Sequence, residues 1–239
     1  MLTIGMLGGM SWESSAEYYR LANVLVRERL GGLHSAKVVL HSVDFAEIER
    51  MQVEGRWDDA GKALAEAATS LQAGGADFLV LCTNTMHKVF DEIQAAVGIP
   101  MIHLGDTTAD AIKKAGLTTV GLLGTGFTMD QPFYRERLES HGLTVLLPST
   151  EDRETVHRII YDELCLGVVR DESRRAYQDV IARFEGAEGV ILGCTEIELL
   201  LTQDDVPLPV FPTTRLHVEA AVERAILPDN RGTPTQSSR

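Results

Sequence analysis

A chain of 239 residues with 44% hydrophobic and 24% charged residues is long enough for one large core or two modest ones. Its 22 basic against 35 acidic residues leave a net charge of −13, which argues against nucleic acid and anionic membrane surfaces as partners. Three cysteines, Cys82, Cys165 and Cys194, are too sparse and odd in number for a disulfide framework and read as reduced thiols of a cytoplasmic protein.

The first apolar run, residues 3–7, lacks a basic flank and a cleavage site and reads as a buried strand rather than a leader. It ends in Gly8-Gly9, followed by a helical pattern over 14–29 and a strand over 37–41. An amphipathic turn at 45–51 precedes a helix over 58–73, then strands at 78–81 and 101–102. The second stretch repeats the alternation: strand 119–123, helix 131–141, strand 144–147, helices 153–164 and 172–184, strands 190–192 and 210–211, and a last helix over 216–226. The polar, breaker-rich segment 228–239 is expected to be a disordered tail. Strands without polar alternation, separated by helices, predict an α/β fold with parallel sheets covered on both faces. No apolar run approaches the ~20 residues of a membrane helix.

The two stretches rhyme. Ile4-Gly5-Met6-Leu7-Gly8 is echoed 116 residues later by Val120-Gly121-Leu122-Leu123-Gly124, and Tyr18 by Tyr134. Each half then carries a strand ending in Cys-Thr, Cys82-Thr83 and Cys194-Thr195. Each also carries a Pro-led strand ending in a Thr pair, Thr107-Thr108 and Thr213-Thr214. Three landmarks in one order predict an internal duplication. The expected domains are a lobe over 1–115 carrying Cys82 and a lobe over 116–215 carrying Cys194, with a C-terminal helix (216–227) crossing back to the first. The lobes would be Rossmann-like and related by a pseudo-twofold axis, with the site in the cleft between them.

In open α/β sheets ligands bind beyond the carboxyl ends of the strands, which is where both Cys-Thr pairs fall. A following helix start would lower a thiol from its ordinary pKa of ~8.5 and offer N–H groups to a carboxylate. Thr83, Asn84, Thr85, Thr195 and Glu196 would complete a cradle of hydroxyl, amide and backbone donors for an amino acid's α-carboxylate. Two thiols on opposite sides of a small molecule suit inversion at a carbon acid, one removing the α-proton and the other delivering a proton to the far face.

The segments GMLGGMSWESSAEYY, FAEIERMQ, LCTNTMHK, LLGT, IIYDELCLG and LGCTEIELL resemble the aspartate/glutamate racemase family, on its aspartate-racemase-like, broad-specificity amino-acid branch. The resemblance implies a two-lobed α/β fold, no pyridoxal phosphate or other cofactor, catalytic Cys82 and Cys194, and a homodimer. Glutamate racemases carry His where Glu196 stands and Asp-Ser in the first glycine loop, which argues against that activity. The branch often shows a basic residue at Gly126 and Asp at Pro212, and its aspartate-specific members a lysine near Cys165. The lysine's absence points to a neutral or mixed substrate range.

Further substrate-binding candidates are Met10 and Ser11 after the glycine turn, Arg50 and Gln52 after the amphipathic turn, and Thr125 of LLGT. Cys165 and His87 are expected to be structural, Cys165 in a helix and His87 on a helix face; no metal is expected, since Cys82 and His87 do not form a zinc pattern. The competing readings are a hydantoin racemase, a maleate isomerase, or a small-carboxylate-binding protein without catalysis.

Overall fold

The computed structural model describes residues 1–227, and the expected disordered tail at 228–239 lies outside them. The first half runs β1 (Ile4–Gly8), α1 (Trp12–Leu30), β2 (Val38–Ser42), α2 (Phe45–Val53), α3 (Trp57–Ala73), β3 (Phe78–Leu81), α4 (Phe90–Ala95), β4 (Met101–Ile102) and α5 (Leu104–Lys114). The second runs β5 (Thr119–Gly124), α6 (Gly126–Asp130), α7 (Pro132–Ser140), β6 (Thr144–Leu146), α8 (Thr150–Asp162), α9 (Asp171–Ala182), β7 (Gly189–Gly193), α10 (Ile197–Leu200), β8 (Val210–Pro212) and α11 (Thr213–Ile226). The strands form two four-stranded parallel sheets of order β2-β1-β3-β4 and β6-β5-β7-β8, so the second repeats the topology of the first. The α/β class and two parallel sheets match the sequence reading.

Local chemistry accounts for the elements. Every residue of β1, β3 and β7 is buried, as befits central strands with helices on both faces. The hydroxyl of Ser11 caps α1 by accepting from Ser14 N at 3.2 Å, and Asp44 caps α2 by accepting from Ala46 N at 3.1 Å. Gly9 adopts φ 96°, and a Cβ there would lie 2.2 Å from the Val43 carbonyl oxygen, so only glycine lets the loop turn against β2.

The last helix of each half crosses to the other. Val218, Ala221, Val222 and Ala225 of α11 are buried with Ile4, Met6, Tyr18 and Val80 of the first half. Leu104, Ala109 and Ile112 of α5 are buried with Val120, Leu122, Tyr134 and Leu138 of the second. Sequence reading expected the first crossing and missed the second, because it took the Thr pair of each half as a strand end. In the structure β4 stops at Ile102, and His103 caps α5 by accepting from Gly105 N at 3.0 Å on Nδ1, which places Thr107 and Thr108 inside the helix. In the second half the Thr pair opens α11. Among the described residues no helix is long and apolar enough to cross a membrane.

Candidate active site

The carboxyl ends of β1 and β3 in one lobe and of β5 and β7 in the other border a small cavity of about 50 Å³. Of the residues singled out from sequence, Met10, Ser11, Gln52, Thr83, Asn84, Thr85, Thr125, Cys194, Thr195 and Glu196 line it. Arg50 does not; it is exposed on α2, whose buried residues are Ile48 and Gln52. Sequence reading missed Ser14, Phe45, Ile160, Tyr161 and Cys165 in the lining. Cys165, expected to be structural, sits in a short 3₁₀ turn (Leu164–Leu166) against the cavity. Its signal was the amphipathic face of residues 153–164, which carries Ile160 and Tyr161 to the same wall.

Cys82 is also outside the lining. It is fully buried in the apolar cluster of Ile4, Met6, Tyr18 and Val80, with Val80 O, 3.9 Å from Sγ, as its acceptor. Burial pushes its thiol far above the ordinary range, so the expected lowering at a helix start is reversed. The reason is register. Leu7 pairs with Leu81 in the first sheet, and Leu123 pairs with Leu192 in the second. Leu7 and Leu123 are the matched positions of the 116-residue echo, so Leu81 corresponds to Leu192, Cys82 to Gly193 and Thr83 to Cys194. Aligning Cys-Thr with Cys-Thr slips the repeat by one residue, and one residue along a strand reverses the face a side chain takes. The counterpart of Cys194 is therefore Thr83, which lines the cavity.

Cys194 is 8% exposed and donates its S–H to Glu196 Oε2 at 2.8 Å. Ser11 of the opposite lobe donates its hydroxyl to Glu196 Oε1 at 3.0 Å. Burial, then the Glu196 carboxylate, pushes the Cys194 thiol well above its ordinary pKa, so at rest the thiol stays protonated. Here too the expected lowering is reversed, since α10 is a single turn whose dipole cannot offset a carboxylate in direct contact.

Thr83 is held through its backbone. His87 Nδ1–H donates to Thr83 O at 2.8 Å while its Nε2 accepts from Leu104 N at 3.1 Å. Burial, with His103 and His217 nearby, pushes His87 far below the ordinary imidazole range, which keeps it neutral and suited to both bonds. His87 is thus a buried brace between the β3 turn and α5, on a short 3₁₀ helix (Thr85–Val89).

Asn84 carries an open valence. Thr213 donates its hydroxyl to Leu192 O at 3.0 Å, so its oxygen accepts from Asn84 Nδ2 at 3.2 Å. That fixes the amide orientation and leaves the buried Asn84 Oδ1 without a partner among the described residues. An unpartnered buried acceptor in a cavity wall calls for a donor, so Asn84 suits an ammonium group better than the carboxylate the sequence suggested. Thr195 differs as well. Ser14 Oγ donates to Cys82 O at 3.2 Å and so accepts from Thr195 Oγ1 at 2.7 Å, which in turn meets Thr214 Oγ1 at 3.1 Å. The Thr195 hydroxyl is committed to this chain across the lobes, and its contribution to a bound molecule reduces to its backbone. Thr85 and Thr125 approach each other across the lobes at 3.2 Å between hydroxyls. Among the described residues no group of three or more His, Cys, Asp or Glu side chains could hold a metal ion.

The family model for Asp/Glu/hydantoin racemase matches residues 7–221. The broad-specificity amino-acid racemase RacX of Bacillus subtilis is 34% identical over 171 residues, covering 69% of this chain and 72% of that protein. A crystal structure from Yersinia pestis, described as a candidate Asp/Glu racemase, superposes with a TM-score of 0.89 at 53% identity, covering 94% of this chain and 99% of the other. An aspartate racemase homologue from Pyrococcus horikoshii gives 0.85 at 36% identity, with the same coverage.

Proposed function

Because the chain belongs to the Asp/Glu/hydantoin racemase family, we propose that it is a cofactor-independent amino-acid racemase that inverts the α-carbon between Cys194 and Thr83. The observation that carries this reading is the register match of those two residues at the wall of the interlobe cavity.

A zwitterionic amino acid would place its ammonium between Asn84 Oδ1 and Glu196, and its carboxylate on the hydroxyls of Thr85 and Thr125 and the backbone around Thr195. The arriving positive charge lowers the Cys194 pKa and offsets the effect of Glu196, so the thiolate forms when substrate is bound. The thiolate takes the α-proton from one face. The resulting carbanion, its charge spread onto the carboxylate, takes a proton from the Thr83 hydroxyl on the other face. Thr83 then regains a proton and Cys194 loses one to close the cycle. In the reverse direction the Thr83 hydroxyl first loses its proton to solvent, and the alkoxide accepts the α-proton while the Cys194 thiol donates its own. A hydroxyl is a far weaker acid than a thiol, so exchange on the Cys194 face should outrun inversion. A cytoplasmic homodimer belongs to the same proposal, and light scattering of the purified protein tests the dimer.

The test is incubation of the protein with a panel of L- and D-amino acids in D2O without added cofactor, following the α-proton by NMR and the configuration by chiral chromatography. Exchange with inversion, abolished by Cys194→Ser, is the expected result. Exchange that survives Cys194→Ser sinks the mechanism. Absence of exchange with every amino acid sinks the racemase reading and leaves hydantoins, maleate-like diacids and simple binding to be examined.

A further inference from the structure

The side walls of the cavity differ in character from its proton-transfer end. Around Thr83 and Cys194 the lining is hydroxyls, an amide and backbone. Away from them it is Met10, Phe45, Ile160, Tyr161 and Cys165. Resting on the racemase reading above, we propose that this second region receives the substrate side chain, accepts uncharged side chains and discriminates against a second carboxylate.

The argument is one of charge. Among the described residues, Glu196 is the single acidic side chain of the lining, and no Lys or Arg stands beside it. Two further carboxylates act on the apolar wall from outside it. Glu13 helps to push the Cys165 thiol up to about 12, after burial and Glu196, and Glu49 contributes to raising Tyr161, where burial dominates. No Lys or Arg of the described residues reaches the lining to answer them. Arg50 is exposed and outside the lining. Lys88 lies 3.9 Å over the Trp57 ring and donates to Gln131 Oε1 at 2.5 Å. Arg153 pairs with Asp130 at 3.1 Å.

The neutral donors of the wall are also limited. Gln52 turns its amide nitrogen onto Met86 Sδ at 2.9 Å, which leaves the Tyr161 hydroxyl as the main donor on that side. A dicarboxylic amino acid would set its second carboxylate against thioether, phenyl and aliphatic groups in the negative field of Glu196 and a catalytic thiolate. A buried carboxylate is tolerated when it is paired or well hydrogen-bonded, and this wall supplies neither. An amide or hydroxyl side chain of the same shape loses far less on entering.

Isosteric pairs isolate that term. The experiment compares kcat/KM of the full protein for L-Asn against L-Asp and L-Gln against L-Glu, by α-proton exchange and chiral analysis at one pH and ionic strength. The expected result is at least a tenfold preference for the amide in both pairs. If Asp or Glu is turned over as well as its amide or better, the side-chain proposal is overturned while the racemase reading stands. If no amino acid of any charge exchanges its α-proton, the racemase reading itself has failed and this proposal falls with it.

Discussion

Replacing Cys82 with alanine should weaken the fold and leave turnover intact. The thiol is fully buried among Ile4, Met6, Tyr18 and Val80, and its contact with Val80 O at 3.9 Å is too weak a hydrogen bond to matter. Removing one buried heavy atom loses its transfer free energy and leaves a small void, about 1–2 kcal/mol together. For a chain of this size that lowers Tm by roughly 2–8 °C. Cys194→Ser changes stability little, since serine still reaches Glu196. Loss of the proton-transfer group should nevertheless cut turnover by about 10²–10⁴-fold. Thr83→Val should lose inversion to a similar degree while keeping exchange on the Cys194 face. Thermal melts beside α-proton exchange in D2O read all three. If Cys82→Ala abolishes turnover in a protein that still melts cooperatively, the register argument is wrong and the two-cysteine scheme returns.

Glu196→Gln should move the pH profile of Cys194 alkylation by iodoacetamide to lower pH, because the carboxylate that opposes ionisation is gone; an unchanged profile in a Cys165→Ala background would refute the pairing. His87→Phe leaves the Thr83 carbonyl and the Leu104 N–H unpaired in the core, an expected loss of about 2–6 kcal/mol by denaturant unfolding. Glu198 gives a pH effect of definite sign. Burial raises it from 4.5 to about 8 although it accepts from Thr214 N at 3.0 Å. The folded protein therefore holds a proton that the unfolded chain has released. The associated stability is full below about pH 4.5 and lost as pH rises through about 8. Glu198→Gln keeps an acceptor for Thr214 N and removes the titration. Its stability relative to wild type should improve by on the order of 2 kcal/mol between pH 5 and pH 9, the side chain being partly exposed. A constant difference across that range would refute the assignment.

Much of the architecture was legible because it rests on local signals. Non-alternating apolar strands and amphipathic helices identify a parallel α/β fold, and the Gly-ending strands at Gly8 and Gly124 identify the repeat. The cavity was legible in outline too, since ten of the twelve residues singled out for the site line it. The two failures have different causes. Arg50 failed because helix phase decides exposure, and on α2 the buried face carries Ile48 and Gln52. Cys82 failed because identity of residue type was allowed to set the alignment of the two halves. The sheet sets it instead, through the pairing of β3 with β1 and of β7 with β5. Cys194 follows Cys82 by 112 residues while the matched strands repeat at 111 (Leu81 to Leu192), an offset that only the hydrogen-bonded ladder reveals.

The same ladder explains why a hydroxyl could stand where a thiol was expected without loss of the site. Thr83 and Cys194 are fixed relative to each other by what lies behind them. Behind Thr83 is His87, which braces its carbonyl against the start of α5, and α5 is packed into the second lobe. Behind Cys194 are Thr195, Thr214 and Ser14, a hydroxyl chain that joins the start of α11 to α1, and α11 is packed into the first lobe. Each lobe thus positions its own residue of the proposed pair through a helix anchored in the other. The separation of the two groups follows from core packing, which resists change, rather than from loop conformation. Under the proposed mechanism, a substitution at position 83 then alters the acidity of one proton carrier and leaves its place intact. Thr83→Cys should accordingly fold as the parent does and bring exchange on the two faces of the α-carbon toward equal rates. No gain in exchange on the face opposite Cys194 in a well-folded Thr83→Cys protein would mean that Thr83 does not stand there.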